Sequence, residues 1–267
     1  MADLHIFSYL PNPRIMKATI AARLNGIDIE VRGAKPRELS DWLWDFEARS
    51  ISDKDKDAFK DIARASRTGF DAVLYKTDSF LDAHPFGTVP AAFSPDGNVG
   101  IFESNSILRT AARLGEECVP LYGATVYEAS RIDSFLDVSL VFARQSQIHL
   151  LALTNNRFGT EIRDETVGAM ETYMAGINRA LAGGRPALVG ERLSIADICF
   201  VCETCQISRE RAHTEKLRAL GLAPVYDETA LARTYPLAWK HFMALCHHEA
   251  FAPDIAPLME KLAAGRN

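Results

Sequence analysis

Two groups of residues in this chain have types and spacing that suit chemistry. The stretch HPFGTVPAAFSPDGNVGIFESNSIL, from His84 to Leu108, joins a Val-Pro pair, a tight hairpin and a polar helix start. Its second half can hold an anion. Glu103-Ser104-Asn105-Ser106 ends a strand and, with Ser104 or a neighbour as cap, opens a helix over about 106–114 whose free backbone N–H groups attract a carboxylate. Its first half can meet an extended, peptide-like ligand: a cis bond at Val89-Pro90 would leave the Val89 backbone open for pairing. Only about 5–6% of X-Pro bonds in folded proteins are cis, so a plain strand edge with Pro90 at its first position is the alternative. The second group lies near the N-terminus. Arg14 and Lys17 place two cations in the first turn of a predicted helix, where the dipole disfavours them. Either a bound anion relieves this or both side chains point into water.

Other reactive residues read as structural. Cys199, Cys202 and Cys205 stand three apart on one predicted helix, whereas structural zinc sites use four ligands on turns, and buried free cysteine is common. Cys246-His247-His248-Glu249 reads as a helix end, without the HExxH spacing of a zinc protease. No Gly-rich phosphate loop is present, and the expectation is a protein with no metal. In Gly190 to Asp197, Ser194 and Asp197 form a capping box that belongs to folding.

The elements that position these residues follow from periodicity. Leu4, Ile6 and Ser8 alternate with His5 and Phe7 in a first strand that ends at Pro11-Asn12-Pro13. A helix over 14–25 stops at Asn25-Gly26, and Ile27, Ile29 and Val31 alternate in a second strand. Ala91 to Ser94 and Val99 to Phe102 form a hairpin around Pro95-Asp96-Gly97-Asn98. Strand, helix, strand, hairpin and helix make a thioredoxin-like α/β layer over 1–114. Gly115 to Thr125 reads as a linker, and 125–267 as an all-α domain with helices over about 126–153, 160–182, 194–209, 212–220, 236–247 and 256–264.

More than fifty residues separate the second strand from Pro90, against about 4–6 in a typical connection. An inserted segment at about 36–80 is expected, with one or two helices around Leu39–Arg49 and Lys54–Arg64. There Trp42 and Phe46, at i and i+4, would be the buried face of a helix or the wall of a pocket for a flat substrate.

Composition sets wide bounds. The 267 residues are 48% hydrophobic with a net charge of -5, so no basic field favours nucleic acid or anionic lipid. The start MADLHIFSYLPNP lacks a cationic leader, and no run reaches the ~18 apolar residues of a membrane span. Five cysteines, an odd count, read as reduced thiols. A cytoplasmic protein is expected.

The Gly87-Thr88-Val89-Pro90 and Phe102-Glu103-Ser104-Asn105-Ser106-Ile107 motifs resemble the glutathione-binding half of glutathione transferases. The first domain is most similar to the transferase-type domain in the gamma subunit of a eukaryotic translation elongation factor. The resemblance implies a thioredoxin-like N-terminal domain joined to an all-α C-terminal domain, and glutathione as co-substrate. It also implies a cis Val89-Pro90 whose Val89 backbone pairs with the cysteinyl part, and a Glu103-Ser104 pair on the γ-glutamyl end. Thr88, Val89, Pro90, Glu103 and Ser104 are therefore the expected glutathione residues. Compact members of the family use a shorter connection over 36–80, and here the chain departs from them.

A thiol with a pKa near ~8.5 is only a few per cent ionised at neutral pH. Lowering it by two units needs nearly ~3 kcal/mol, more than a helix terminus supplies, so a side-chain donor is required. The candidates are Asn12, Ser8 and Tyr9. Asn12 aligns with the thiol-binding serine of theta-like members. Its amide can donate to a thiolate but cannot take a proton, so water would be the acceptor. Asn12 is equally an ordinary turn or cap residue between two prolines. Ser8 can face the core, and Tyr9 can donate as in tyrosine-type transferases.

In the helical domain Tyr127, Arg131, Phe135, Phe142 and Arg144 lie on the first long helix, which lines the second-substrate site in the family. Tyr127, Arg131 and Phe135, with Trp42, are the expected second-substrate pocket, and a core role for the rings is the alternative. The resulting expectation is a glutathione transferase or lyase, an enzyme whose glutathione thiolate attacks an apolar, aromatic electrophile. Aryl ether opening, as in bacterial β-etherases, is one version, and a homodimer is implied. The rival is a non-catalytic interaction module of the elongation-factor gamma type.

Overall fold

The computed structural model describes residues 2–66, 72–115 and 120–265. It divides into two compact units, Met1–Val119 and Pro120–Asn267. Residues 67–71 of the expected insertion and 116–119 of the expected linker lie outside the described residues.

In the first unit, β1 (Leu4–Tyr9) leads through the cis Leu10–Pro11 bond into α1 (Pro13–Asn25). Asn12 caps α1, Pro13 takes its first position, where a missing N–H costs nothing, and Gly26 at φ +70° ends it in the left-handed conformation. The following β2 (Ile29–Ala34) runs parallel to β1, from Leu4 opposite Ile29 to Tyr9 opposite Ala34.

The segment after β2 differs from the expected helices. A 3-10 turn (Pro36–Asp41) precedes β3 (Trp42–Trp44) and β4 (Arg49–Ser50), and only α2 (Asp53–Ala58) is α-helical before a second short 3-10 turn and β5 (Ala63–Ala65). With β6 (Val73–Lys76) these strands form a sheet in the order β4-β3-β6-β5, Leu43 lying parallel to and opposite Tyr75. Trp42 and Phe46 therefore do not share a helix face. Aromatic Trp-Leu-Trp also fits the period of two and a pleated strand, and its pairing with a segment some thirty residues away settles the choice. The Trp44 indole N–H donates to Leu39 O at 3.1 Å, and its ring meets Phe7 and Phe80 edge-on in one core with Leu74, Ala91 and Phe93. The insertion thus extends the core of the first sheet.

After α3 (Asp78–Ala83), the hairpin β7 (Ala91–Phe93) and β8 (Gly100–Phe102) completes a sheet in the order β2-β1-β7-β8, and α4 (Ser104–Leu114) closes the unit. The last helix starts two residues before the expected position. Its N-cap is Glu103 at φ +68° with no side-chain cap, so Ser104 is the first helical residue and not the cap.

In the second unit the described elements are all helical: α5 (Val126–Thr154), α6 (Thr160–Ala180), α7 (Ile195–Ser208), a 3-10 turn (Arg209–His213), α8 (Thr214–Ala219), α9 (Glu228–Thr234), α10 (Pro236–Cys246) and α11 (Ala252–Ala263). The sequence reading lacks α9, a short helix capped by Asp227, whose Oδ1 accepts from the Ala230 N–H. The Ser194–Asp197 capping box forms, and every residue of α7 is buried. No described helix is long and apolar enough to cross a membrane.

Candidate functional site

Register brings the sequence candidates of the first unit together. Ala91 lies opposite both Phe7 and Phe102. The end of β1 leading to Asn12, the Val89–Pro90 approach to β7 and the Glu103–Ser104 turn after β8 therefore meet at one end of the sheet. The Val89–Pro90 bond is cis. Among the described residues neither the N–H nor the carbonyl of Val89 has a hydrogen-bond partner.

The first turn of α4 supplies donors. The amide of Ser104 lies ahead of the first intrahelical bonds, which run from Ser106 and Ile107 to Glu103 O. Among the described residues no acceptor takes the Ser104 hydroxyl proton or its N–H. Its oxygen does have a partner: Lys17 Nζ donates to Ser104 Oγ at 3.2 Å and to Asn105 Oδ1 at 2.7 Å. Lys17 is 1% exposed, so it does not point into water. Its burial follows from the packing of α1 on α4, which a reading of α1 alone does not contain.

The thiol-site candidates separate. Asn12, 2% exposed, accepts from the Arg14 N–H with Oδ1 at 3.0 Å and donates from Nδ2 to Ser8 Oγ at 3.0 Å. It is the cap of α1, and one proton of its amide remains beyond the Ser8 bond. Ser8 is fully buried, and its oxygen accepts from Asn12. Tyr9 is partly buried against the core of the unit.

The loop before Pro90 is tied from beneath. Lys76 Nζ donates to Gly87 O at 2.6 Å and sits 4.6 Å from the centre of the Trp44 ring. The fully buried His84 stacks on Phe102 with ring centres 4.9 Å apart, its Nε2 3.4 Å from the exposed Thr88 hydroxyl. Burial pushes the His84 imidazole below its ordinary value; a Thr88 backbone contact opposes this and the Lys76 charge adds to it. Below about pH 6.5 the unfolded chain therefore takes up a proton that folded His84 does not, and stability falls with falling pH. His84→Phe, which keeps the ring stack, is expected to flatten this part of the pH dependence of urea unfolding. An unchanged slope would show that His84 is not its source. Lys76 and His84 carry no signal in the sequence, and for Lys17 the sequence leaves an anion and water as alternatives, because each acts through contacts distant in sequence.

The expected second-substrate residues divide between the units. Trp42, half-buried on β3, stacks on Phe7 with ring centres 5.8 Å apart. In the second unit a groove of about 350 Å³ between α5 and α6 is lined by Arg131, Phe135, Val138 and Ile177, and the Arg131 guanidinium stands 5.0 Å from the centre of the Phe135 ring. Tyr127 is 88% exposed and does not line it. Phe142 is buried and stacked on Tyr173, and so takes the core role. Cys199, Cys202, Cys205 and Cys246 are buried free thiols; a hydrogen bond with Cys246, together with burial, pushes the Cys205 thiol well up.

An α/β unit whose first four-stranded sheet receives a cis proline just before β7, followed by a helical unit, is the architecture of glutathione transferases, and solved structures agree. A glutathione transferase from Methylobacillus flagellatus with glutathione bound aligns at a TM-score of 0.62 and 13% identity, over 94% of this chain and 98% of that one. Glutathione S-transferase-I with lactoylglutathione aligns at 0.61 and 18% identity, over 96% and 99%. At these identities the likeness establishes the fold.

No family model matches the chain. Among curated proteins it is 30% identical to elongation factor 1-gamma 1 of Oryza sativa over 161 residues, 56% of this chain and 38% of that protein. It is 26% identical to glutathione S-transferase F9 of Arabidopsis thaliana, over 48% of this chain and 61% of that protein. A glutathione S-transferase-like protein, FUS3, of Gibberella moniliformis is 24% identical over 72% of each chain. The chain thus spans about two fifths of the elongation factor and three fifths of the plant transferase. In fold and in sequence the chain is thus similar to proteins of the glutathione transferase superfamily.

Proposed function

We propose that the protein is a glutathione-dependent transferase or lyase. The observation that carries this reading is Ser104, whose N–H and hydroxyl proton are both without acceptors among the described residues, at the same sheet end as the unpaired backbone of Val89. The γ-glutamyl carboxylate would meet the donors of Ser104 beside Glu103, and the cysteinyl backbone would pair with Val89 after Thr88 and before Pro90. The amide proton of Asn12 not given to Ser8 would donate to the thiolate, which lowers the thiol pKa in proportion to that bond. Structures of similar fold with glutathione or lactoylglutathione bound support glutathione as the co-substrate. For the second substrate we retain an apolar, aromatic electrophile, with an aryl ether as one version; the half-exposed Trp42 ring supports it. A homodimer accompanies this reading, supported by the exposed apolar side chains of Phe86, Val126, Tyr127 and Val141.

The test is calorimetric titration of glutathione. The wild type is expected to bind and Ser104→Ala to bind about tenfold or more weakly, the consequence of losing a hydrogen bond to a charged group. Asn12→Ala is expected to keep affinity while raising the pKa of the bound thiol, read from thiolate absorbance. Failure of the wild type to bind at millimolar ligand would remove the enzyme reading. It would leave a non-catalytic interaction module, which the 30% identity to an elongation factor gamma subunit supports.

A further inference from the structure

Lys17 occupies a position where a cation is expensive. It lies early in α1, at the positive end of the helix dipole, and is 1% exposed. An apolar side chain of similar length would fill the same space between α1 and α4 without desolvating a charge. The hydrogen bonds give the lysine a further role. An ammonium group only donates, so Ser104 Oγ, which accepts from Lys17 Nζ at 3.2 Å, cannot return its own proton to Lys17. That proton is directed away, and among the described residues no other group accepts it. The second bond, at 2.7 Å to Asn105 Oδ1, fixes the next residue of the same turn. Both bonds reach the start of α4, the element that carries the donors of Ser104.

We propose that Lys17 is a positioning residue that makes this site selective for a ligand with a free carboxylate at Ser104, such as the α-carboxylate of a γ-glutamyl group. It orients the Ser104 hydroxyl outward and places a positive charge behind it in a medium of low dielectric, where charges act strongly. The proposal rests on the glutathione reading and assigns that site its selectivity.

The experiment titrates two ligands, glutathione and its analogue with 4-aminobutyryl in place of the γ-glutamyl residue, which lacks only the α-carboxylate. The proteins are wild type, Lys17→Met and Lys17→Arg, each with a urea unfolding curve. The wild type is expected to prefer glutathione. Lys17→Met is expected to lose about tenfold in glutathione affinity, as for a charge-assisted hydrogen bond, while its affinity for the analogue and its stability hold. Lys17→Arg is expected to recover part of the preference. Equal weakening of both ligands, or unfolding of Lys17→Met and Lys17→Arg alike, would assign Lys17 to packing and overturn the proposal. Undiminished preference in Lys17→Met would overturn it while leaving the glutathione reading intact. Binding of neither ligand by the wild type would defeat the glutathione reading and the proposal with it.

Discussion

Asp197→Ala is expected to destabilise the helical unit by about 3–5 kcal/mol, the range for breaking a buried, hydrogen-bonded ionic group. The carboxylate is fully buried. Its Oδ1 accepts from the Leu188 N–H at 3.0 Å and lies 2.8 Å from His241 Nε2; its Oδ2 accepts from the Ser194 N–H and hydroxyl, both at 2.9 Å. One side chain therefore closes the capping box of α7, ties down the loop before it and holds a ring on α10. Alanine leaves the two buried N–H groups without partners, and each unsatisfied group costs about 1–3 kcal/mol. Asp197→Asn keeps the shape and one acceptor oxygen, so a smaller loss is expected. Urea unfolding of both variants checks this. A loss under about 1 kcal/mol for Asp197→Ala, the level of an exposed cap, would mean that water replaces the carboxylate and that α7 is less tightly enclosed than its burial indicates.

Gly33→Ala is expected to cost about 3 kcal/mol or more, the upper range for forcing atoms into a packed site, and to weaken ligand binding in the protein that still folds. Gly33 has φ +157° and pairs with Ser8 across β1 and β2. A Cβ there would stand 1.8 Å from Ser8 O and 2.9 Å from its carbonyl carbon. Those are backbone atoms, so no side-chain rotation relieves the clash and β2 must move away from the end of β1. That end carries the Ser8–Asn12 hydrogen bond and the Leu10 N–H to Ala34 O bond at 2.8 Å. The proposed thiolate donor sits on this strand end, so its displacement should appear as a raised pKa of bound thiol beyond the loss of stability. A variant with normal stability and normal thiol pKa would show that the strand ends separate without cost.

Much of this architecture is local, and local features are legible in a sequence. The β1–α1–β2 unit follows from alternation, the two prolines around Asn12, and Gly26. The hairpin follows from its Pro-Asp-Gly-Asn turn, and α7 from its capping box, since each depends on residues within a few positions of one another. The second sheet was not legible. Trp42-Leu43-Trp44 satisfies helix and strand patterns alike, and the choice falls to hydrogen bonds with Val73–Lys76.

The candidate site divides along the same line. The sequence alone determined that a helix starts just after Asn12, that a polar helix start follows Phe102, and that the motifs around Pro90 and Ser104 resemble those of glutathione transferases. Only the tertiary structure decided that Ser8 is buried and accepts from Asn12, that Ser104 is a first-turn donor and not a cap, and that Lys17 lies beneath it. Each of those outcomes is set by contact between elements. A side chain's burial and partners depend on what packs over it, so the same lysine in the same helix reads equally as an anion's partner or a solvated cation until α4 is laid across α1.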